Sequence, residues 1–398
     1  MKTKKWGWLC FALCYFGYMG VYISRNNLSI ISPQLKEAGL ATAAQLGLLT
    51  GLFSLGYAAG KLLCGPLGDR FNPKNIAALG VAVAGLSNLL IALCLWFFPC
   101  FPAVLALWII NSLGQSLVWG PLLRLISLNL SGGRAPFVTS MLVTTTATGG
   151  VAGILIASGA GRQDPALGFL APGLITLLAA LLLFCFFPGK TTGAGRAGKP
   201  GVMAAVFRQP EVRRMLLPAF AQGVIKDNVL NWASLYLAAR FLMDLAQLPF
   251  FILLIPAVSF LGRMCYPLFY RLCGQDQARV SQLCFAGCLL LSAPLILGGF
   301  SRVPAVVLLV LLSTLGNVMN TSFLSIFPMS MEHTGQVSAI ASVMDVVTYS
   351  GLGLSSAVFG ALIDAFGLWG YQIMFAAFAL FALLGLLLLQ RAKRRSAG

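Results

Sequence analysis

Long apolar stretches recur along this chain, and the short runs that separate them hold most of its Lys and Arg. A helix needs about 20 mostly apolar residues to cross a bilayer. That length predicts twelve spans, at roughly 7–34, 43–67, 76–98, 102–130, 136–160, 168–188, 213–240, 246–271, 279–299, 303–331, 337–364 and 368–391. The longest polar interruption, "GKTTGAGRAGKPGVMAAVFRQPEVRR" at 189–214, is rich in Gly, Lys and Arg and has the character of a flexible linker. The expected organisation is a six-helix bundle over 1–188, a cytoplasmic linker over 189–212 and a second six-helix bundle over 213–398. Two such halves are expected to be pseudo-symmetric about the membrane normal, with a site between them near the midplane. The polar patches that interrupt the first and seventh spans echo each other. "SRNNLSII" and "IKDNVLNW" each place one cation, Arg25 or Lys226, just before an Asn-containing polar patch.

Composition agrees with an all-α membrane protein: 59% of the 398 residues are hydrophobic and 9% are charged. The formal net charge of +17 would suggest nucleic acid in a soluble domain, but the positions of the charges exclude that reading. Basic residues such as Lys2, Lys4, Lys5, Arg70, Lys74, Arg134, Lys190, Arg213 and Arg391 fall on one set of loop ends, whereas the other set holds Lys36, Arg162, Arg240 and Arg302. This asymmetry follows the positive-inside rule and predicts cytoplasmic termini. The apolar run after the N-terminal lysines is too long for a signal peptide and no small-residue cleavage site follows, so it reads as an uncleaved first helix. The ten cysteines lack ligand spacing and read as small buried hydrophobes; no metal site or cofactor is expected.

Candidate chemistry lies in the charges inside the spans. An arginine in hydrocarbon costs about 3 kcal/mol on insertion scales, so Arg25, Lys61 and Lys226 are functional-site hypotheses. Tyr18, Tyr22, Arg25 and Ser29 step by four, three and four along one helix face; Tyr57 and Lys61 are four apart, as are Asp345 and Tyr349. Such cations among phenolic donors suit a small anionic substrate, with arginine offering a planar fork and lysine a mobile point charge. Arg124 and Arg263 read as structural, and His333 as a solvated loop residue. Asp345 is compatible with a bridge to Lys226 or Lys61, a contact to a cationic substrate group, or a coupling proton. Asp227, adjacent to Lys226, is expected to point away from it and to need a different partner. Thr146 either lines the cavity or, with Gly149, Gly150 and Gly153, serves close helix packing.

After the second span, "GKLLCGPLGDRFNPKNI" resembles the G-x-x-x-D-R-x-x-x-[RK] loop signature of the major facilitator superfamily, as Gly65, Asp69, Arg70 and Lys74. The resemblance implies that superfamily's fold and a charge-paired latch that holds one conformation. The second half's "GRMCYPLFYR" lacks the acid. Four stretches, "FGYMGVYISRNNLSIISP", "GYAAGKLLCGPLGDRFNPKN", "GQSLVWGPLLR" and "GVIKDNVLNWASLYL", further resemble the organophosphate:phosphate antiporter family, which includes the glycerol-3-phosphate and hexose-phosphate transporters. That resemblance implies substrate-binding positions at Tyr18, Tyr22, Arg25, Tyr57, Lys61 and Lys226, and an organophosphate exchanged for inorganic phosphate. Lys226 stands where the family has arginine, Thr146 where its glycerol-phosphate carriers have histidine, and Asn231 where an acid is usual; Asp345 adds an acid.

The resulting expectation is a secondary active transporter in a bacterial cytoplasmic membrane, not an enzyme, working as a monomer by alternating access. Its partners are a small anion, a coupling species (inorganic phosphate or a proton) and the lipid bilayer, with no nucleic acid. A proton-coupled exporter of drugs or metabolites and a non-transporting sugar-phosphate receptor are the alternatives.

Overall fold

The computed structural model describes residues 2–129, 138, 141–191, 202–334 and 336–397, and the regular structure among them is helical. The first part holds α1 (Lys2–Glu37), α2 (Ala43–Arg70), α3 (Pro73–Phe97), α4 (Phe101–Ser116), α5 (Trp119–Asn129), α6 (Thr145–Ala160) and α7 (Leu167–Phe186). There follow α8 (Val202–Arg208), α9 (Pro210–Phe241), α10 (Leu248–Ile252), α11 (Leu254–Met264), α12 (Tyr266–Leu272) and α13 (Gln277–Leu297). The chain closes with α14 (Arg302–Thr321), α15 (Phe327–Ser330), α16 (Val337–Phe366) and α17 (Leu368–Ala397).

Local chemistry sets several helix starts. Asn72 accepts the Lys74 amide at 2.9 Å ahead of Pro73, and Asp276 accepts those of Ala278 and Arg279. Thr42 and Gln45 exchange side-chain bonds with each other's amides at the start of α2, a reciprocal cap. The next two amides of that helix, of Ala43 and Ala44, donate to the Asp364 carboxylate at 2.9 and 2.7 Å.

Among the described residues, nine helices are long and apolar enough to cross a membrane, and ten if the bent pair over Leu248–Leu272 is one span. The remaining two expected spans coincide with α2 and α9, of 28 and 32 residues; α9 is diluted by Glu211, Arg213, Arg214, Lys226, Asp227 and Arg240. Three expectations need correction. The span at 246–271 is broken into α10, α11 and α12, with a 49° bend before α12, where Pro267 cannot donate to the preceding turn. Part of the linker is helical: α8 turns the apolar run "VMAAVFR" into a short helix that buries Val206. The segment carrying Gly65, Asp69 and Arg70, expected as a loop after residue 67, continues α2 in its backbone; the side chains of those three residues lie outside the described ones.

The chain resolves into two compact units, Met1–Leu40 with Ala59–Gly198, and Ala41–Ala58 with Lys199–Gly398. The one departure from a simple division into halves is the beginning of α2, which packs in the second unit. Inside the first unit α1 packs on α6 and α7, and α3 on α4 and α7. Inside the second, α9 packs on α16 and α17, and α13 on α14 and α17. Counting spans, these four pairings of the first unit recur in the second. The polar echo of the first and seventh spans thus has an architectural counterpart.

Both units expose large apolar side chains outward, among them Leu181, Leu290 and Leu380, which suits a hydrocarbon environment. Where helices approach most closely, small residues carry the contact. A Cβ on Gly149 would sit 2.7 Å from the Met19 carbonyl oxygen and 2.8 Å from the Tyr22 Cβ, and one on Gly153 would sit 2.9 Å from the Ile23 carbonyl oxygen.

Candidate functional site

In the first unit, a buried polar network fixes the rotation of α1. Asn27 Nδ2 donates to Asn88 Oδ1 of α3 at 2.8 Å and to the Gly168 carbonyl of α7 at 3.2 Å. Asn88 Nδ2 donates to the Ser24 carbonyl at 3.1 Å, and the Thr176 hydroxyl meets both the Ser24 hydroxyl and the Gly20 carbonyl. Ser24, Asn27, Asn88 and Thr176 are fully buried. Several satisfied hydrogen bonds in a low-dielectric interior hold the helix firmly, because leaving any donor unpaired there is costly.

With that face committed, Arg25 stands on another and is only half-buried. One and two turns before it, Tyr22 and Tyr18 pack edge to face at 5.3 Å between centroids, and Tyr18 lies 5.0 Å from the Trp119 ring of α5. Tyr15 extends this aromatic face; its hydroxyl bonds the Thr144 and Thr148 hydroxyls at 3.0 and 2.9 Å. The sequence reading had not singled out Tyr15, Thr144 or Thr148, although the three-residue step from Tyr15 to Tyr18 was a signal. Thr146 is half-buried on the same helix, and the small-residue contact of Gly149 and Gly153 with α1 is present beside it. Lys61 is half-buried in this unit, next to Gly60, whose close neighbour is Ser116 of α4.

In the second unit Lys226 is buried, 8% exposed, with its stem against Gly316 of α14. Its ammonium pairs with the Asp227 carboxylate. This corrects the expectation that adjacent residues diverge. The two Cβ atoms do leave the helix about 100° apart, but lysine's four-carbon stem is long enough to bring the ammonium back. Two residues beyond each cation, the echo holds in detail: Asn228, like Asn27, is buried and binds a neighbouring helix, donating to Ser355 Oγ of α16 at 2.8 Å.

Asp345 and Tyr349, one turn apart on α16, are half-buried. The Tyr349 ring lies 4.7 Å from that of Tyr57, which belongs to the part of α2 packed in this unit. Tyr57 and Lys61, read as neighbours, therefore belong to different units although one helix carries both. Arg263 donates to Asn317 Oδ1 at 2.8 Å, tying α11 to α14, as its structural reading requires. His333 is exposed in a short turn. Lys74 donates from Nζ to the Phe184 carbonyl at 3.0 Å, near the end of α7. Among the described residues no three His, Cys, Asp or Glu side chains converge as metal ligands.

Comparison with known proteins bears on the family and the fold. The family model of the Major Facilitator Superfamily matches residues 14–350. The "Glycerol-3-phosphate transporter" of Haemophilus influenzae is 26% identical over 216 residues, covering 52% of this chain and 40% of that protein. The "Probable hexose phosphate transport protein" of Chlamydia muridarum is 29% identical over 126 residues, 32% of this chain and 27% of that protein. "Membrane sensor protein UhpC" of Escherichia coli is 28% identical over 108 residues, 27% of this chain and 23% of that protein. These matches span well under half of the relatives' lengths. A variant of the nucleoside transporter NupG has the same fold, with a TM-score of 0.82 over 96% of this chain and 99% of that one at 13% identity. The chain belongs to the Major Facilitator Superfamily, and its resemblance to that superfamily's glycerol-3-phosphate and hexose-phosphate transporters stands.

Proposed function

We propose that this protein is a secondary active transporter of a small organic anion, an organophosphate exchanged for inorganic phosphate by alternating access. The observation that carries the reading is the repeated cation–x–asparagine arrangement, Arg25 with Asn27 and Lys226 with Asn228. In each unit the asparagine is buried and bonded to a neighbouring helix, so the helix bearing the cation is held within the apolar region. A cation held there at a cost of about 3 kcal/mol gains most from an anion that neutralises it. Arg25 supplies two parallel donors to a phosphate-like group. Lys226 supplies a point charge that Asp227 shares, so the anion competes with a carboxylate for it. Competition of this kind favours release as well as capture, which an exchanger needs. Tyr18, Tyr22, Tyr57, Lys61 and Thr146 complete the binding set, and Asp345 suits a cationic group on the cargo. Names of relatives that carry phosphorylated cargo support the reading. The expected setting is a bacterial inner membrane with cytoplasmic termini and a monomer as the working form.

Purified protein in vesicles loaded with inorganic phosphate tests this. The expected result is exchange of labelled phosphate with no pH gradient, lost in Arg25→Ala. Strict dependence on a gradient would support instead a proton-coupled exporter driven through Asp345 or Asp227. A receptor is the second reading, favoured by the relative named as a membrane sensor; binding without any flux would establish it and overturn transport.

A further inference from the structure

We propose that the groove between α3 and α7 is a binding site for an anionic phospholipid, a role independent of the transported cargo. The groove encloses about 380 Å³ inside the first unit. Its floor is made by alanines, Ala78 and Ala180, which are 3% and 5% exposed. Its walls are Leu79, Leu181 and Phe184, 57%, 56% and 51% exposed. Large apolar walls that stand open are stable only against hydrocarbon, and a floor of methyl groups between them leaves a slot for an acyl chain.

One end of the slot is cationic. The Lys74 ammonium donates to the Phe184 carbonyl at 3.0 Å and lies 4.9 Å from the centroid of the Phe184 ring. One groove wall therefore holds this charge at the mouth. An ammonium has three donors, so a carbonyl and a ring face leave it able to bind a phosphate oxygen, and its ordering has already been met by the protein. Asn75 adds a polar group to the same lining. Asn72 Nδ2 donates to Thr191 Oγ1 at 3.1 Å, which ties the segment bearing exposed Lys190 to the start of α3. Lys74 and Lys190 both lie on the loop ends that the charge distribution assigns to the cytoplasmic side, where anionic headgroups attract basic pockets between helices. The chemistry matches one occupant in both parts: a phosphate at the cationic mouth and an acyl chain along the alanine floor.

Native mass spectrometry on the delipidated full chain, titrated with phosphatidylglycerol or phosphatidylcholine of identical chains, provides the test. Phosphatidylglycerol is expected to bind at least several-fold more tightly than phosphatidylcholine. Lys74→Gln should weaken it by about fivefold, the effect of one surface cation. Ala82→Trp, which fills the groove, should abolish the preference, and circular dichroism will report whether that variant folds. Lys74→Gln acts outside the packed core and keeps the test decisive if it does not. Equal binding of both lipids, or unchanged binding by Lys74→Gln, would overturn the proposal. So would displacement of phosphatidylglycerol by inorganic phosphate at equal concentration, because the acyl chain would then contribute nothing.

Discussion

Lys226 and Asp227 are neighbours in sequence and partners in space, and their pairing separates two roles for the seventh span. If the pair only held α9 in place, removing both charges together would relieve the loss caused by removing one. Breaking a fully buried pair costs about 3–5 kcal/mol, and the cost here is lower because the Asp227 side chain is 33% exposed. For Lys226→Ala we expect a lower melting temperature and no phosphate exchange. For Lys226→Ala with Asp227→Ala we expect the melting temperature to recover while exchange stays absent. Exchange by the double variant at wild-type rate would make the pair purely structural. Single residues were legible where they broke an apolar pattern: Arg25 and Lys226 are conspicuous because charge inside a span is expensive. What spacing could not show was the reach of the Lys226 stem. Nor could it show that the hydroxyl of Tyr15 finds Thr144 and Thr148, which depends on how α1 meets α6.

Helices were legible from apolar length, and their irregularities were not. The start of α2 illustrates this. Its own cap, Thr42 with Gln45, is written locally, but two more amides are satisfied by Asp364, more than 300 residues away. A carboxylate at a helix N-terminus accepts charge-assisted bonds and opposes the positive end of the helix dipole. Below this cap, Gly47 and Gly51 let α2 meet α16 at backbone distance: a Cβ on Gly47 would sit 2.4 Å from the Ser356 carbonyl oxygen. The cap and the glycine contacts are the specific groups that hold the start of α2 against α16. Asp364→Ala is expected to destabilise this seam by about 1–2 kcal/mol, read as faster modification of a cysteine placed at Ala44 while helix content is unchanged. Unaltered modification would mean that the glycine contacts alone hold the seam. The broken span at α10 to α12 carries a similar lesson: its prolines were visible, but the angle they produce depends on packing.

At the scale of the whole molecule, the linker composition and the echoed polar patches are the sequence features on which the expected division into two halves rests. The main pairings of spans recur in both units, α1 on α6 and α7 as α9 on α16 and α17. The assignment of the beginning of α2 to the second unit was not legible, since it follows from a glycine seam with partners far along the chain. The proposed function requires that Arg25 and Lys226, the cation of each repeat, each contribute to binding the transported anion. Isothermal titration of inorganic phosphate into the purified full chain, beside Arg25→Ala and Lys226→Ala, measures it directly. A charge-assisted bond contributes about 1.5–3 kcal/mol, so each variant should bind phosphate about 10- to 100-fold more weakly. Wild-type affinity in both variants would contradict the account.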